Sequence, residues 1–194
     1  MRTGVKLLLT TPRRRGELLA ELADAELTYP EHEHGATAGA LPDGASHLDL
    51  DVPIGVGGRV FDRAAEAVLG WQMHRGAGLD VRATSPRAEV DAIVLVTFLR
   101  GLPIGLSAPC RVLSVADEPD RQGFTYGTLP GHLESGEERF EVFRDALGVV
   151  TLRIVAFSRH APGPARWLGP LTSSGQRVVT GRYVQAVRRA AAGR

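Results

Sequence analysis

Between residues 79 and 158 the chain is a succession of six β-prone runs, at 79–84, 91–99, 107–115, 123–129, 139–144 and 149–158. The links between them are short and turn-rich: Pro86, Gly101-Leu102-Pro103, Asp117-Glu118-Pro119-Asp120, a charged link over 130–138, and residues 145–148. Parallel neighbours need a crossover of about a dozen residues or more, which these links do not supply, so the runs read as an antiparallel meander. A seventh strand precedes them at 47–54, where Leu48, Leu50, Val52 and Ile54 share one face and His47, Asp49 and Asp51 the other.

Two helical segments bracket the meander. Over 59–74, Val60, Ala64, Ala67, Val68 and Trp71 recur at spacings of three and four, and Gly76 and Gly78 end the pattern. The chain closes with a helical segment over 164–192, interrupted early by Gly169-Pro170 and Gly175. The expected fold is α+β, a curved seven-stranded antiparallel sheet wrapped on the long C-terminal helix, with a cavity between them. Residues 47–192 form this domain. Residues 1–46 read as an extension: a short helix over 13–26 with Leu18, Leu19 and Leu22, then an irregular Gly/Pro/Ala-rich stretch over 27–46.

Composition narrows the function classes. The formal charge of +1 over 194 residues offers no global field for nucleic acid or an acidic membrane. The cations are nearly all arginine, with Lys6 the sole lysine. Cys110 is the one cysteine, which excludes an internal disulfide and a multi-cysteine metal site. Its setting at a strand start reads as a small core residue, and a lone thiol fits a reducing cytoplasm. The apolar run at residues 5–9 is too short for a membrane span or a signal sequence, so a cytoplasmic location is expected.

A set of short motifs carries a family resemblance: Leu27-Thr28-Tyr29-Pro30-Glu31, Gly35-Ala36-Thr37, Trp71-Gln72-Met73-His74-Arg75-Gly76-Ala77-Gly78, Pro109-Cys110-Arg111-Val112, Asp117-Glu118-Pro119, the block 123–138, and Ala156-Phe157-Ser158-Arg159. In this order, over roughly residues 27–190, the chain resembles the bacterial and plant DUF1990 (UPF0548) proteins. His32-Glu33-His34 looks like a slightly longer insert than that family has. The resemblance implies a helix-grip fold of the START, pollen-allergen and polyketide-cyclase type, and brings no catalytic residues with it.

The link over 130–138 holds His132, Glu134, Glu137 and Glu138, and is the first place to look for a site. Imidazole and carboxylates together can exchange protons, because burial and mutual charge move their pKa values readily. The alternative is a solvated hairpin end whose glutamates pair with Arg139 and Arg144. His32, Glu33 and His34 could meet a divalent ion but lack a third ligand at a recognisable spacing, so no metal site is expected. His74 and Arg75 suit the negative end of a helix dipole, while the glycines after them let the chain pass close to a ligand. Tyr126 shares a strand face with Phe124, and its hydroxyl needs a partner if buried. An inward Arg159 would need an acid group. The Gly55-Val56-Gly57-Gly58 turn lacks the spacing of a nucleotide cradle.

Three readings follow. The first is a binder of a small, largely apolar molecule, without cofactor, nucleic acid partner or membrane insertion, using Tyr126, Glu134, Arg159 and His74 as ligand-binding groups. The second is a cofactor-free cyclase, dehydratase or isomerase acting on a polyketide-like carbonyl compound. Glu137 or His132 would then be the catalytic base, and Tyr126 or Arg159 would stabilise the enolate. The third is a protein-interaction module with a filled core.

Overall fold

A computed structural model describes residues 9–98, 105–160 and 169–194. Residues 5–8 of the apolar run, the Gly101-Leu102-Pro103 link and residues 164–168 of the terminal segment lie outside the described residues. The elements are β1 (Leu9–Thr10), α1 (Pro12–Glu21), β2 (Ser46–Val56), α2 (Gly58–Leu69), α3 (Gln72–Gly76), β3 (Asp80–Ala83), β4 (Ile93–Phe98), β5 (Gly105–Glu118), β6 (Arg121–Thr128), β7 (Glu134–Arg144), β8 (Val149–His160) and α4 (Gly169–Ala191). Two single 3-10 turns, Glu31–Glu33 and Ala36–Ala38, punctuate the stretch between α1 and β2.

The sheet runs β2-β8-β7-β6-β5-β4-β3, antiparallel at every step, and β1 adds two residues beside β5. The six strands β3 to β8 form the meander that the short links demand, and β2, which precedes α2, adds beside β8 as the seventh. Alternation along the strands sorts the side chains. Val94, Val96, Cys110, Val112, Phe124, Tyr126, Phe140, Val142, Leu152 and Ile154 meet the buried sides of α2, α3 and α4 in one core. We call this the inner face.

The other face is covered as well. Leu18 and Leu22 of α1 pack on Ile93, Leu95 and Leu129 in a second, smaller core. Thr11 caps α1, its hydroxyl accepting from Arg14 N at 3.3 Å. Buried Arg15 reaches back to Asp80 Oδ2 at 2.8 Å and to Thr10 Oγ1 at 3.1 Å, tying α1 to β3 and β1. The described residues of the N-terminal extension thus form an outer layer on the sheet.

Helix α1 stops at Glu21, five residues short of the expected 13–26, and two further differences concern α4 and β7. Helix α4 begins at Gly169 and is continuous through Gly175, so the interruption expected at Gly175 is absent. Strand β7 starts at Glu134, so only 130–133 turn, and the glutamates at 134, 137 and 138 belong to a strand. Gly136 suggests a turn in the sequence but serves another purpose. A Cβ there would overlap the Phe157 carbonyl oxygen of β8, and a Cβ on Gly123 would overlap the carbonyl oxygen of Phe140. At both points the neighbouring backbone occupies the space a side chain needs, a close approach that suits a coiled sheet. Replacing Gly136 with alanine is expected to cost about 3 kcal/mol, because the obstructing atom is backbone and cannot swing aside. Urea denaturation monitored by tryptophan fluorescence measures this directly.

Candidate functional site

With β7 running through Glu134, adjacent glutamates must point through opposite faces. Glu138 lies opposite Tyr126 and Ala156 on the inner face, and Glu137 lies opposite Gly127 and Phe157 on the outer face. These two neighbours in sequence do different work.

On the inner face the Tyr126 hydroxyl donates to Glu138 Oε2 at 3.0 Å. Tyr183 of α4 approaches from the helix side, its hydroxyl interacting with that of Tyr126 and lying in the field of Glu138. The Cys110 thiol adjoins the same carboxyl, and burial pushes it well up, so it stays protonated. Glu138 keeps some accessible surface, yet protein surrounds it closely enough that desolvation, aided by the charge of Glu134, pushes its pKa up to about 7. Among the described residues no cation pairs with it. The Tyr126 and Tyr183 hydroxyls are pushed up as well, first by burial and then by this carboxylate.

His74 lies beneath this group because the expected single helix breaks. Helix α2 ends at Leu69, Trp71 adopts a left-handed φ of 64°, and α3 begins at Gln72. A positive φ on a tryptophan is strained, and here it is held by packing. Trp71 is wholly buried, and its indole N–H donates to Ser85 O at 3.2 Å. The turn aims His74 inward. Its ring is 0 % exposed, with centroids 5.0 Å from Tyr183, 5.5 Å from Phe140 and 6.1 Å from Tyr126. Neither ring nitrogen has a hydrogen-bond partner. Burial, with a smaller effect of Arg75, lowers its pKa to about 3, so the ring is neutral. His74 is therefore not the helix-terminal cation its sequence position suggests. Arg75 takes that role, donating to Gly70 O at 3.0 Å.

Of the other expected groups, Glu134 shares the inner side of β7, while His132 lies in the turn that precedes it. The His132 Nδ1 accepts from the Glu134 backbone N–H at 3.0 Å, and burial lowers its pKa to about 4. That ring is neutral and tied to the local turn.

Glu137 and Arg159 belong to the outer face and have no path to a molecule lying against Tyr126. Glu137 is 2 % exposed. Its Oε2 accepts from the Tyr29 hydroxyl at 3.0 Å and from Gly35 N at 2.8 Å, and its Oε1 accepts from Thr37 N at 3.1 Å and from the Thr37 hydroxyl. Tyr29 lies over Gly127, where any side chain would displace it, and packs edge-on against Phe157 at 5.4 Å. Arg159 forms a forked pair with Glu33, at 2.6 and 2.9 Å, and donates to Asp43 O at 3.0 Å. Glu33 is thereby engaged, and His34 packs against the Tyr29 ring at 5.0 Å. Glu137 and Arg159 together fasten the stretch between α1 and β2 to the sheet.

These contacts account for three of the sequence motifs at once: Tyr29, the Gly35-Ala36-Thr37 turn and the block ending in Glu138. The family model described as a domain of unknown function, DUF1990, matches residues 28–186. The chain belongs to the DUF1990 family. A DUF1990 relative, a UPF0548 protein of Deinococcus radiodurans, is 38% identical over 190 residues, covering 93% of this chain and 96% of the relative. Another UPF0548 protein, from Dictyostelium discoideum, is 29% identical over 140 residues, covering 65% of this chain and 63% of the relative. Among solved structures, a hypothetical protein of Helicobacter pylori superposes with a TM-score of 0.54 at 8% identity, covering 84% of this chain and 94% of that one. The DUF1990 chain thus has the helix-grip fold, its sheet curved around α4.

Tyr183 is absent from the expected groups, and Glu138, present in the 130–138 cluster, takes the place there given to Glu137 and His132. The signal for Glu138 was present in the β6–β7 register, which places it opposite Tyr126, but it required β7 to begin at Glu134.

Two outcomes test this division of labour. Glu137→Gln supplies an amide N–H where donors already converge, and is expected to cost about 2–4 kcal/mol and to speed proteolysis within 27–46. Denaturation and limited digestion with mass mapping read both effects. For His74, the unfolded ring takes up a proton below about 6.5 while the folded ring resists it until about 3. Stability therefore falls as pH drops through that window. His74→Leu is expected to leave stability at pH 7 equal or up to about 1 kcal/mol higher, and to flatten that acid slope in denaturation curves.

Proposed function

We propose that this protein binds a small, largely apolar molecule in a cavity between the inner face of the sheet and α4. The observation that carries the reading is Glu138: a carboxyl on an apolar wall, retaining accessible surface, with one tyrosine hydroxyl donating to it and no cation to balance it among the described residues. A carboxyl placed so is costly for the fold alone, since a desolvated charge without a counter-charge disfavours folding. Phe124, Phe140, Val112 and Val142 supply apolar wall, and Glu138 with Tyr126 and Tyr183 supplies orientation. Near pH 7 Glu138 is poised between donor and acceptor states, so it can give a hydrogen bond to a carbonyl or hydroxyl of the bound molecule.

The same poise supports a second reading, a cofactor-free cyclase, dehydratase or isomerase. A carboxyl with a pKa of about 7 is suited to proton transfer at neutral pH. In that reading Glu138 moves the proton and Tyr126 donates to the developing oxyanion.

Native mass spectrometry of the protein purified from a bacterial host, followed by denaturation and small-molecule identification, tests the proposal. A stoichiometric apolar compound released on denaturation is the expected result. A neutral naphthalene dye provides a probe that does not depend on co-purification. Its affinity is expected to fall about 5–10-fold in Tyr126→Phe, the loss of roughly one hydrogen bond's orientation. Ionisation of Glu138 places a charge in the apolar wall, so affinity for the dye should decline as pH rises through about 7. Glu138→Gln should abolish that decline. Absence of both a co-purifying compound and dye binding would sink the reading. Turnover of a carbonyl compound with a pH inflection near 7, lost in Glu138→Gln, would select the enzyme.

A further inference from the structure

Helix α4 and the residues after it carry a feature that interior binding leaves unexplained. Residues 169–194 contain Arg177, Arg182, Arg188, Arg189 and Arg194, and no aspartate or glutamate. Helices α2 and α3, which pack beside α4, add Arg59, Arg63 and Arg75 against Asp62 and Glu66. Eight arginines against two carboxylates give this helical layer +6, whereas fifteen basic and twenty acidic residues give the rest of the chain −5. The near-zero net charge is a sum of two opposed contributions.

Pairing differs between the two parts in degree: on the sheet Arg82 meets no carboxylate among the described residues and Arg111 donates only to the Leu22 and Ala23 carbonyls, but most arginines there are paired. Arg15, Arg121, Arg139, Arg144, Arg153 and Arg159, on the sheet and the outer layer, each meet a carboxylate. Of the helical-layer arginines whose side chains are described, namely Arg59, Arg63, Arg75, Arg182, Arg188, Arg189 and Arg194, none does. Three of these donate only to backbone carbonyls: Arg75 to Gly70, Arg188 to Pro53 and Arg189 to Gly76. Glu66 is taken by Arg87 from outside the layer. Arg188 and Arg189 suit the negative end of α4, but Arg59 lies in the first turn of α2, against the helix dipole. Local helix electrostatics therefore do not account for the set.

Apolar side chains border the basic face. Leu147, at the tip of the β7–β8 hairpin, is 86% exposed, and Val56, at the end of β2, is 65% exposed. The Gly57 N–H donates to Gly148 O at 2.8 Å, which ties these two tips together beside Arg59. On α4, Val178 is 54% exposed and lies one turn before Arg182. The aromatic residues of α2, α4 and the turn between α2 and α3, namely Phe61, Tyr183 and Trp71, are buried, so this face offers no platform for stacking bases. No helix among the described residues is long and apolar enough to cross a membrane.

We propose that the outward face of α2, α3 and α4, with the tips at Val56 and Leu147, docks on an anionic lipid bilayer. Arginines meet the lipid phosphates while the apolar tips enter the headgroup boundary, the division of labour of a surface-bound basic amphipathic helix. The contact is peripheral, and it stands whether or not a molecule occupies the interior.

Vesicle flotation of the full chain tests this, with phosphatidylcholine alone and with phosphatidylcholine containing about 30% phosphatidylglycerol. Binding is expected only to the anionic vesicles at low ionic strength, falling tenfold or more near 0.5 M salt. The double variant Arg59→Glu/Arg182→Glu should lose binding by a similar factor. An acidic residue at position 59 favours α2, so circular dichroism melting should show that the fold survives. Leu147→Ser should weaken binding severalfold with charge unchanged. Equal binding to both vesicle types, no flotation, or an unaffected double variant would each overturn the proposal. So would tighter capture by a single-stranded oligonucleotide, or sedimentation showing a dimer that the double variant dissociates.

Discussion

A carboxylate taken out of water without a cation holds the outer layer in place. Glu137 is compensated by hydrogen bonds alone, from a phenol, a hydroxyl and two backbone N–H groups, all contributed by residues 29–37. Charge-assisted bonds of this kind are roughly twice as strong as neutral ones, and they justify burying the charge only if every donor is present. The irregular stretch is thereby specified as strongly as a regular element. Tyr29 must lie over a glycine, Gly35 must turn with φ of 81°, and Thr37 must present both its N–H and its hydroxyl. The adjacent residue on β7 meets the opposite condition. Glu138 faces an apolar interior with one tyrosine donor and keeps its proton to near neutrality. Pleating turns one Glu-Glu dipeptide into an anchor on one side of the sheet and a titratable group on the other.

The inner side depends on a local cost. Breaking the helix at Gly70-Trp71 sacrifices continuity and places a tryptophan in the left-handed region, yet the break delivers both the Trp71 indole and the His74 ring into the core. The imidazole brings two polar atoms that find no partner, a penalty of about 1–3 kcal/mol that leucine would avoid. Tyr183, Phe140 and Tyr126 surround the ring edge-on or tilted, so aromatic contacts offset part of that cost. A fold under selection for stability alone has no reason to keep histidine there.

The meander was legible because strand alternation and short links constrain topology without tertiary information: each of the seven main strands overlaps its expected run, with β7 starting five residues early, and the described helix at 169–191 lies within the expected 164–192. What stayed hidden was decided between elements. Gly136 carries the same local signal in a turn as in a strand, and only the carbonyl of Phe157 crossing its α-carbon tells the two apart. Once β7 begins four or five residues earlier, parity assigns Glu137 and Glu138 to opposite faces. Tyr126 and His74 were readable as candidates from residue chemistry. Arg159 was readable as needing an acid, and Glu33, 126 positions away, supplies it. The helix break was beyond reach, since the apolar repeat continues through Trp71 and no proline marks the stop.

Charge shows the same limit of reading by sums. A total of +1 excludes a uniform field and says nothing about its distribution. At physiological ionic strength the screening length is about 8 Å, so a surface touching the helices responds chiefly to the charges at that contact. Asp80, Glu141 and Glu33, outside the helical layer, are already paired with arginines, which weakens their reach further. The arginines of α2 and α4 therefore act at a contact much as they would on a basic protein.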